Sequence, residues 1–225
     1  MSTSELAARW CGRLTYRAGV ELQDRHHAEV AAGGPPRVLL LEHDPVVTVS
    51  RRARASTHLL GSPVQLRRLG VAVEPTDRGG DVTLHTPGQV IVYPILNLRN
   101  FGLNLGSYMR ALEAAVINTL RPLGLDAVAE AGATGVWIRR PGRSAAKVCA
   151  MGVRVRRHVT LHGLALNVCN DLSLFHLIDP CGLSFRPVTS LREEGLRDVR
   201  PRPIGDLVAR SLRDQLARAS SGSGV

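Results

Sequence analysis

The sequence almost entirely lacks lysine. Its 225 residues contain 29 lysines and arginines together, and only one of these, Lys147, is a lysine. Arginine therefore supplies the basic charge at every other position. An ammonium group loses its proton near neutral pH when it is desolvated, whereas a guanidinium does not. We therefore interpret Lys147 as a residue with a chemical role rather than one more surface cation.

The sequence also lacks long apolar runs and the closely spaced cysteines of a disulfide-rich protein. The longest apolar runs, residues 38–41 and 90–92, are strand-sized and far shorter than the roughly 20 residues of a membrane span. Residues 1–14 lack the apolar centre of a secretory signal. The four cysteines are widely spaced, as is typical of free thiols in a reducing compartment. These features predict a soluble, cytoplasmic protein with no membrane partner.

Aromatic residues are scarce, at 4% of the chain, although the formal net charge is +10. Such a charge favours an anionic partner. Nucleic-acid bases would find few aromatic side chains on which to stack. The arginines are dispersed along the chain, and the sequence has no helix-turn-helix, zinc-finger or ribonucleoprotein motif. We therefore expect no nucleic acid, while an acidic protein partner fits the same charge.

Hydrophobic periodicity predicts an α/β fold with a mixed β-sheet core flanked by helices. We expect one domain, residues 1–218, followed by a disordered tail, residues 219–225. The predicted helices cover residues 15–32, 63–69, 107–120, 172–177 and 203–217, the last with Leu207, Leu212 and Leu216 inward. The predicted strands cover residues 38–41, 46–50, 71–74, 81–85, 89–98, 127–130, 135–139, 147–156 and 159–168. Residues 38–50 are expected to form a hairpin or near-hairpin, and residues 1–14 to lead into a helix.

The segment that carries Lys147 also carries Cys181, in the order Asp-Pro-Cys-Gly. Proline and glycine on either side of a thiol favour a tight loop that presents it. A thiol has a reference pKa of about 8.5 and becomes an effective nucleophile when a nearby cation lowers that value. Lys147 could lower it, and could also act as general acid and base. The pair predicts acyl transfer if the two side chains meet.

Other residues of this segment offer alternatives. Cys149 shares a strand face with Lys147, roughly 7 Å along the chain, but its apolar neighbours indicate burial. We therefore favour Cys181 and expect Cys149 and Cys169 to be packed. His158 and His162 would lie about 13 Å apart on a strand, too far to share one ion, so no metal site is expected.

Two further stretches suggest ligand contacts. Gly79 and Gly80 allow the backbone to approach a ligand or simply to turn, and Arg78 beside them could clamp a carbonyl or phosphate group. In the following strand His85 belongs to a polar face, either as a hydrogen-bonded structural group or as a site residue. The small residues at positions 163–165 leave room for an extended acyl chain or for close sheet packing. Backbone amides of Gly79, Gly80 or Gly182 are candidates for an oxyanion site.

Several long motifs together resemble the bacterial lipoyl (octanoyl) protein transferases. They are RGGDVTLHTPGQ, TGVWI and AKVCAMGVRVRRHVTLHGLALNVCNDLSLFHLIDPCGL, and with LEHDPVVTVSRRA and VTSL they cover most of the chain. The resemblance implies a fold similar to the catalytic domains of biotin and lipoate protein ligases.

The resemblance also implies an activity. An octanoyl group would pass from octanoyl-acyl carrier protein to a specific lysine of lipoyl domains, the first step of endogenous protein lipoylation. The acceptors would be lipoyl domains of 2-oxoacid dehydrogenase complexes and the glycine cleavage H protein, and no cofactor would be needed.

Site residues follow from the resemblance position by position. Cys181 resembles the nucleophile that holds the acyl thioester, and Lys147 the residue that lowers its pKa. The substrate-binding positions would be Arg78, Gly79, Gly80, Asp81, Val82, Thr83, Leu84, His85, Ala150, Met151, Gly152, Gly163, Leu164 and Ala165. Asp81 and Leu84 stand where the family often has glutamine and tyrosine, and Thr86 replaces a usual glycine, which leaves the preferred chain length open.

Two other functions remain compatible with the sequence. An ATP-dependent lipoate-protein ligase would share the fold and could use Lys147, but would not need Cys181. A non-catalytic module that binds lipoyl domains or nucleic acid would need neither side chain for chemistry.

Overall fold

A computed structural model describes residues 6–51, 55–179 and 186–221. The strands, in chain order, are β1 (Ala7–Leu14), β2 (Arg37–His43), β3 (Val46–Ser50), β4 (Ala72–Thr76), β5 (Val82–His85), β6 (Gln89–Ile95), β7 (Ala127–Glu130), β8 (Ala133–Arg140), β9 (Arg143–Arg156) and β10 (Val159–Asn167). The α-helices are α1 (Tyr16–Ala31), α2 (Pro63–Arg68), α3 (Leu105–Leu120) and α4 (Pro201–Ser221). Short 3-10 helices cover Ala55–His58, Leu98–Phe101, Arg121–Leu123 and Ser173–Leu177.

The main sheet has the strand order β1-β2-β6-β10-β9-β8-β7. Strands β1 and β2 are parallel and all other neighbours are antiparallel, so the sheet is mixed as predicted. Every residue of β6 and β10 is buried. Helices α3 and α4 cover one face and α1 covers the other, which explains why these two central strands are buried on both sides.

The helix ends follow ordinary capping chemistry. The Thr15 side chain accepts a hydrogen bond from the Ala18 amide at the start of α1. Helix α3 starts two residues earlier than predicted because Asn104 caps it, and Ser107 completes the capping box from inside the helix. Among the described residues, no helix is both long and apolar enough to cross a membrane.

One strand was not predicted, and three expectations were wrong in detail. Residues 7–14 form β1, an edge strand whose partly exposed side chains lack a clear alternation. Residues 38–50 do not form a hairpin, because the chain crosses from β2 in the main sheet to β3 in a second sheet. Helix α4 continues through Ser221, so residues 219–221 are helical rather than disordered. Leu207 is 40% exposed, whereas Leu212 and Leu216 are buried as expected.

The second sheet contains three strands in the order β4-β3-β5. Strand β3 runs parallel to β4 and antiparallel to β5. The Tyr16 hydroxyl at the start of α1 donates to Thr76 Oγ1 on β4 at 2.7 Å, and the Gly79 amide donates to the Val153 carbonyl on β9 at 2.8 Å. These two bonds hold the small sheet and its following loop against α1 and the main sheet.

A buried ring cluster, defined as Tyr16, His43, His85, Tyr93 and His162, lies where the two sheets meet. Neighbouring ring centroids are 5.4 to 6.4 Å apart. The members come from α1, β2, β5, β6 and β10. The cluster therefore joins elements that are distant in the sequence.

The three histidines of the cluster are held neutral by their surroundings. Burial, with a smaller contribution from the His43 ring, lowers the pKa of His85 to about 3. Burial likewise lowers the pKa of His43 and of His162 to about 4. Desolvation disfavours the charged imidazolium and so depresses each value.

These low values predict acid sensitivity. Below pH 6.5 the unfolded chain takes up protons at the three histidines while the folded protein does not. Their contribution to stability is complete above about pH 6.5 and is lost as the pH falls towards 4, by up to about 1.4 kcal/mol per pH unit for each histidine. Urea unfolding between pH 7.5 and 4.5 measures this slope. We expect a smaller slope in His43→Asn, and a flat wild-type profile between pH 7 and 5 would contradict the account.

Two facing positions of β9 and β10 require glycine because the backbone of other elements lies close to them. Gly152 lies opposite Gly163, and a Cβ on Gly163 would lie 2.2 Å from the Val92 carbonyl oxygen. A Cβ on Gly152 would lie 2.5 Å from the Gly79 carbonyl oxygen. Neither contact is with a flexible side chain, so the backbone itself would have to move.

We therefore expect Gly163→Ala to lower the free energy of unfolding by about 1–3 kcal/mol, the usual cost of overpacking. The measurement is the urea midpoint, with the slope m unchanged. Gly106→Ala is the control, because its Cβ would meet nothing closer than 3.3 Å and would lie on α3. Equal midpoints for the two variants would refute the close approach at Gly163.

Candidate functional site

A cavity of about 410 Å³ is lined by residues of both sheets. Thirteen of the residues that the sequence predicted for the site line it. They are Arg78, Gly79, Gly80, Val82, Thr83, His85, Lys147, Ala150, Met151, Gly152, Gly163, Leu164 and Ala165. The structure thus brings together residues from three separate stretches of the chain.

Four small residues shape the wall that the main sheet contributes to the cavity. In the register of β9 with β10, Ala150 lies opposite Ala165 and Gly152 opposite Gly163. Large side chains at these positions would fill the space. The loop that begins at Gly79 lies directly over Gly152, so the small pairs account for both the cavity and its cover.

Arg78 braces this loop. Its guanidinium donates to Thr48 Oγ1 at 3.0 Å, to the Gly79 carbonyl at 3.0 Å and to the Asp81 carbonyl at 3.2 Å. These bonds tie the loop to strand β3 and to itself. The sequence suggested a clamp on a ligand, and the contacts show that the same side chain also orders the cavity wall.

Two of the predicted substrate-binding residues do not line the cavity. The Asp81 carboxylate pairs with His58 Nδ1. Leu84 is fully buried in the apolar cluster of the small sheet, beside Val47 and Leu66. Thr86 is also buried outside the cavity lining.

His85 has a defined tautomer. The Gln89 side-chain amide donates from Nε2 to Asn167 Oδ1 at 2.8 Å and to the Leu84 carbonyl at 3.3 Å. Gln89 Oε1 must therefore be the acceptor for His85 Nδ1–H, at 2.7 Å. The Nε2 atom of His85 then carries a lone pair, which makes His85 a neutral acceptor rather than an acid.

Lys147 is fixed by its backbone and by one aromatic ring. Its amide donates to the Pro187 carbonyl at 2.8 Å, and its carbonyl accepts from the Thr189 amide at 2.9 Å. The ammonium Nζ lies 4.7 Å from the centroid of the Trp137 ring. The Arg186 guanidinium lies 3.6 Å from the same ring and pairs with Glu130. Trp137 therefore positions two cations at this part of the site.

The described cysteines are poor nucleophiles. Cys149 is fully buried, and burial raises the pKa of its thiol far above the ordinary value even though Lys147 opposes the shift. Burial also raises the pKa of Cys169 and of Cys11. A thiol with a raised pKa is mostly protonated at neutral pH. Cys181 lies outside the described residues.

Sequence reasoning missed several cavity residues. Tyr16 and Tyr93 line the cavity, as do Gln89, His162 and Asn167. Tyr16 lies in a predicted helix and Tyr93 in a predicted strand, and local periodicity does not indicate that both reach a common cavity. His162 was considered only as a metal ligand, and instead its Nε2–H donates to Asp77 Oδ1 at 2.9 Å.

Comparison with known proteins shows close relatives along most of the chain. The octanoyltransferase of Chloroflexus aurantiacus (strain ATCC 29366 / DSM 635 / J-10-fl) is 47% identical over 191 residues, covering 84% of each chain. The octanoyltransferase of Solibacter usitatus is 44% identical over 190 residues, covering 84% of this chain and 83% of the relative.

Solved structures show the same fold at low sequence identity. A lipoate-protein ligase A bound with ATP has a TM-score of 0.76 at 18% identity, covering 94% of this chain and 85% of that one. A biotin protein ligase from Aquifex aeolicus has a TM-score of 0.54 at 14% identity, covering 96% of this chain and 72% of that one. The predicted fold class is confirmed.

The family resemblance that the sequence motifs indicated is confirmed as well. The family model described as the lipoyl protein ligase A/B catalytic domain matches residues 15–213. This chain belongs to the lipoyl protein ligase A/B catalytic-domain family.

Proposed function

We propose that this protein transfers an octanoyl group from octanoyl-acyl carrier protein to a specific lysine of a lipoyl domain through a thioester on Cys181. Relatives at 44–47% identity over most of the chain carry the name octanoyltransferase, which supports octanoyl transfer in protein lipoylation. The acceptors are lipoyl domains of 2-oxoacid dehydrogenase complexes and the glycine cleavage H protein. The names of these relatives do not specify the acyl carrier protein as donor, the thioester on Cys181 or the target lysine, and these three points are part of our proposal.

The observation that carries the proposal is the position of Lys147. Its side chain lines the cavity beside the small residues of β9 and β10. Its backbone is bonded to residues 187 and 189, which closely follow Cys181 in the chain.

The residues before Cys181 are anchored as well. The Asp179 amide donates to the His58 carbonyl at 2.8 Å, and Ile178 bridges to Leu59. Cys181 is only two positions after Asp179. A chain covers at most about 3.6 Å per residue, so anchors on both sides limit the reach of Cys181, and the proposal places its thiol beside the Lys147 ammonium.

The chemistry assigns two roles to Lys147. Its positive charge stabilises the Cys181 thiolate, which attacks the thioester carbonyl carbon and expels the carrier thiol, and Lys147 supplies the proton that the leaving thiolate takes. The neutral amine of the incoming lysine then attacks the acyl-enzyme. An amide bond forms, the C–S bond breaks, and Lys147 removes the proton that the amine loses.

The oxyanion of each tetrahedral intermediate needs hydrogen-bond donors. The Gly79 amide already donates to the Val153 carbonyl, so it is not an available donor. Of the glycines that the sequence suggested, Gly80 lines the cavity, and Gly182 lies outside the described residues. We therefore assign this role to the Gly80 and Gly182 amides.

The net charge of +10 suits both protein partners if they are acidic, because opposite charge accelerates encounter. We place the protein in the cytoplasm, where acyl carrier protein and lipoyl domains would both be accessible.

Intact mass spectrometry tests the covalent step. After incubation with octanoyl-acyl carrier protein and no ATP, wild type and Cys149→Ala should carry one octanoyl group. Cys181→Ser should carry none, because only Cys181 is proposed to be a reactive thiolate. Labelling that persists in Cys181→Ser would falsify the acyl-enzyme. Transfer that requires octanoate plus ATP would instead identify a lipoate-protein ligase, and absence of any adduct with retained partner binding would identify a non-catalytic module.

Substitution of Lys147 separates its charge from its proton transfer. Lys147→Arg keeps the cation over Trp137 but cannot donate or accept a proton near neutral pH. We expect kcat to fall by about 10²–10⁴, the usual contribution of a general acid–base group, while the acyl adduct on Cys181 still forms slowly. Lys147→Met is the comparison that removes both functions. Turnover of Lys147→Arg close to that of wild type would show that the charge alone matters.

A further inference from the structure

An acid–histidine pair lies just behind the wall of the cavity. The Asp81 carboxylate accepts a hydrogen bond from His58 Nδ1, and the two side chains are mostly buried, with 13% and 24% of their surface exposed. An ionised carboxylate only accepts, so the proton of this bond belongs to His58 Nδ1. The other carboxylate oxygen, Asp81 Oδ1, is buried and has no hydrogen-bond partner among the described residues. The carboxylate therefore depends on His58.

Such a pair contributes little to stability by itself. Burial of an ionised carboxylate costs solvation free energy, and one partner rarely offsets that cost. The best-attested use of a buried ion pair is to select one arrangement of the elements that it joins. The elements that His58 and Asp81 join therefore indicate what the pair does.

On one side the pair is joined to the cavity wall. Asp81 directly follows Gly80, which lines the cavity. The Asp81 carbonyl accepts hydrogen bonds from the Ser50 amide and from the Arg78 guanidinium, both at 3.2 Å. Asp81 is thus held in place by its own backbone, whether or not its side chain has a partner.

On the other side the pair is joined to the segment that leads to Cys181. Residues 58–61 pair with residues 177–179 through backbone hydrogen bonds of 2.8 to 3.0 Å. One of these bonds runs from the Asp179 amide to the carbonyl of His58. The side chain of His58 thus binds the wall, and its backbone binds a residue two positions before Cys181.

The paired residues 58–61 and 177–179 also pack on the small sheet through apolar side chains. Leu59 and Ile178, which form a bridge, lie in the apolar cluster of that sheet. Apolar contacts are non-directional and tolerate small shifts of the packed surfaces. A hydrogen bond to a charged group is directional and has a narrow range of lengths. The bond between His58 and Asp81 therefore adds a constraint that the apolar packing does not supply.

On the basis of the proposed function, we propose that His58 and Asp81 are positioning residues for acyl transfer. Their bond sets where the segment that carries Cys181 lies relative to the cavity wall. Neither side chain lines the cavity, so neither is expected to contact the acyl group. A misplacement of about 1 Å can slow an enzyme reaction by about 10²-fold, so loss of this bond should be visible in the rate of acylation.

Single-turnover acylation of the full-length protein by octanoyl-acyl carrier protein, followed by intact mass spectrometry, separates positioning from folding. We expect His58→Ala and Asp81→Ala to lower the rate constant for acylation by about 10- to 100-fold, while almost every molecule still becomes acylated. A merely structural role would lower the final fraction acylated and leave the rate constant unchanged. That result, or wild-type rate constants in both variants, would overturn the inference. If His58→Ala, which leaves the buried carboxylate unpaired, does not fold, Asp81→Ala decides.

Conservative variants test whether the bond itself matters. His58→Asn retains an N–H donor close to the position of Nδ1, and Asp81→Asn retains an acceptor oxygen. Each should recover most of the rate lost in the corresponding alanine variant. Asp24→Ala is the matched control, because it removes another ion pair between two elements, with Arg156 at 3.0 Å, and should acylate at the wild-type rate. Asparagine variants as slow as the alanine variants would contradict the proposal.

Hydrogen–deuterium exchange gives a readout that does not depend on activity. The amides of residues 60, 61 and 179 donate the bonds that hold the paired segments together. We expect them to exchange at least about tenfold faster in Asp81→Ala than in wild type or Asp24→Ala, because a bond to a charged group is lost. Unchanged exchange would reject the anchoring role.

The outcome is separable from that of the proposed function. Faster exchange in Asp81→Ala, with no acylation of wild type, would reject the transferase and leave the anchoring of residues 177–179 in place. Acylation at the same rate in wild type and in both alanine variants would reject the positioning role and leave the transferase.

Discussion

The close approach of neighbouring backbone to Gly152 and Gly163, which face each other on β9 and β10, is the constraint on which the site depends. Gly152 faces Gly163 and Ala150 faces Ala165, so the centre of the main sheet has almost no side-chain volume at these positions. The loop at Gly79 packs directly over Gly152 and fills part of this space, and the remaining volume forms the cavity. Larger residues would close the cavity and displace the small sheet at the same time. Stability and ligand binding therefore depend on the same two strands.

The ends of this cavity differ because the sheet brings unlike groups to each side of β10. On one side the Trp137 ring contacts the Lys147 ammonium, and residues 187–189 pair along the Lys147 backbone. On the other side the ring cluster is neutral and ordered in its hydrogen bonds, since every histidine proton has an identified acceptor. A cation at one end suits proton transfer to sulfur and nitrogen.

The sequence was most informative where a local pattern fixes the structure. The facing strands of residues 147–168 and the helix of residues 107–120 follow from periodicity, and both are confirmed. The single lysine pointed to a residue that does line the cavity. Arg78 to His85 were predicted together, although Asp81, which pairs with His58, and Leu84, which packs in the core of the small sheet, do not line the cavity.

The remainder depended on contacts between distant segments. The ring cluster joins residues from position 16 to position 162, and each member has an ordinary local explanation as a core or surface residue. The assignment of β3 to a second sheet also depends on its partners β4 and β5 rather than on its own sequence. Periodicity shows which face of an element is buried, but it does not show which other elements pack against that face.

The central claim is that the Lys147 ammonium activates the Cys181 thiol. The most direct measurement is the rate of alkylation of Cys181 by iodoacetamide as a function of pH, followed by peptide mass spectrometry in wild type and in Lys147→Met. The account predicts a thiol pKa for Cys181 well below the ordinary value of about 8.5 in wild type, and a return to or above that value in the variant. The same titration curve in both proteins would contradict it.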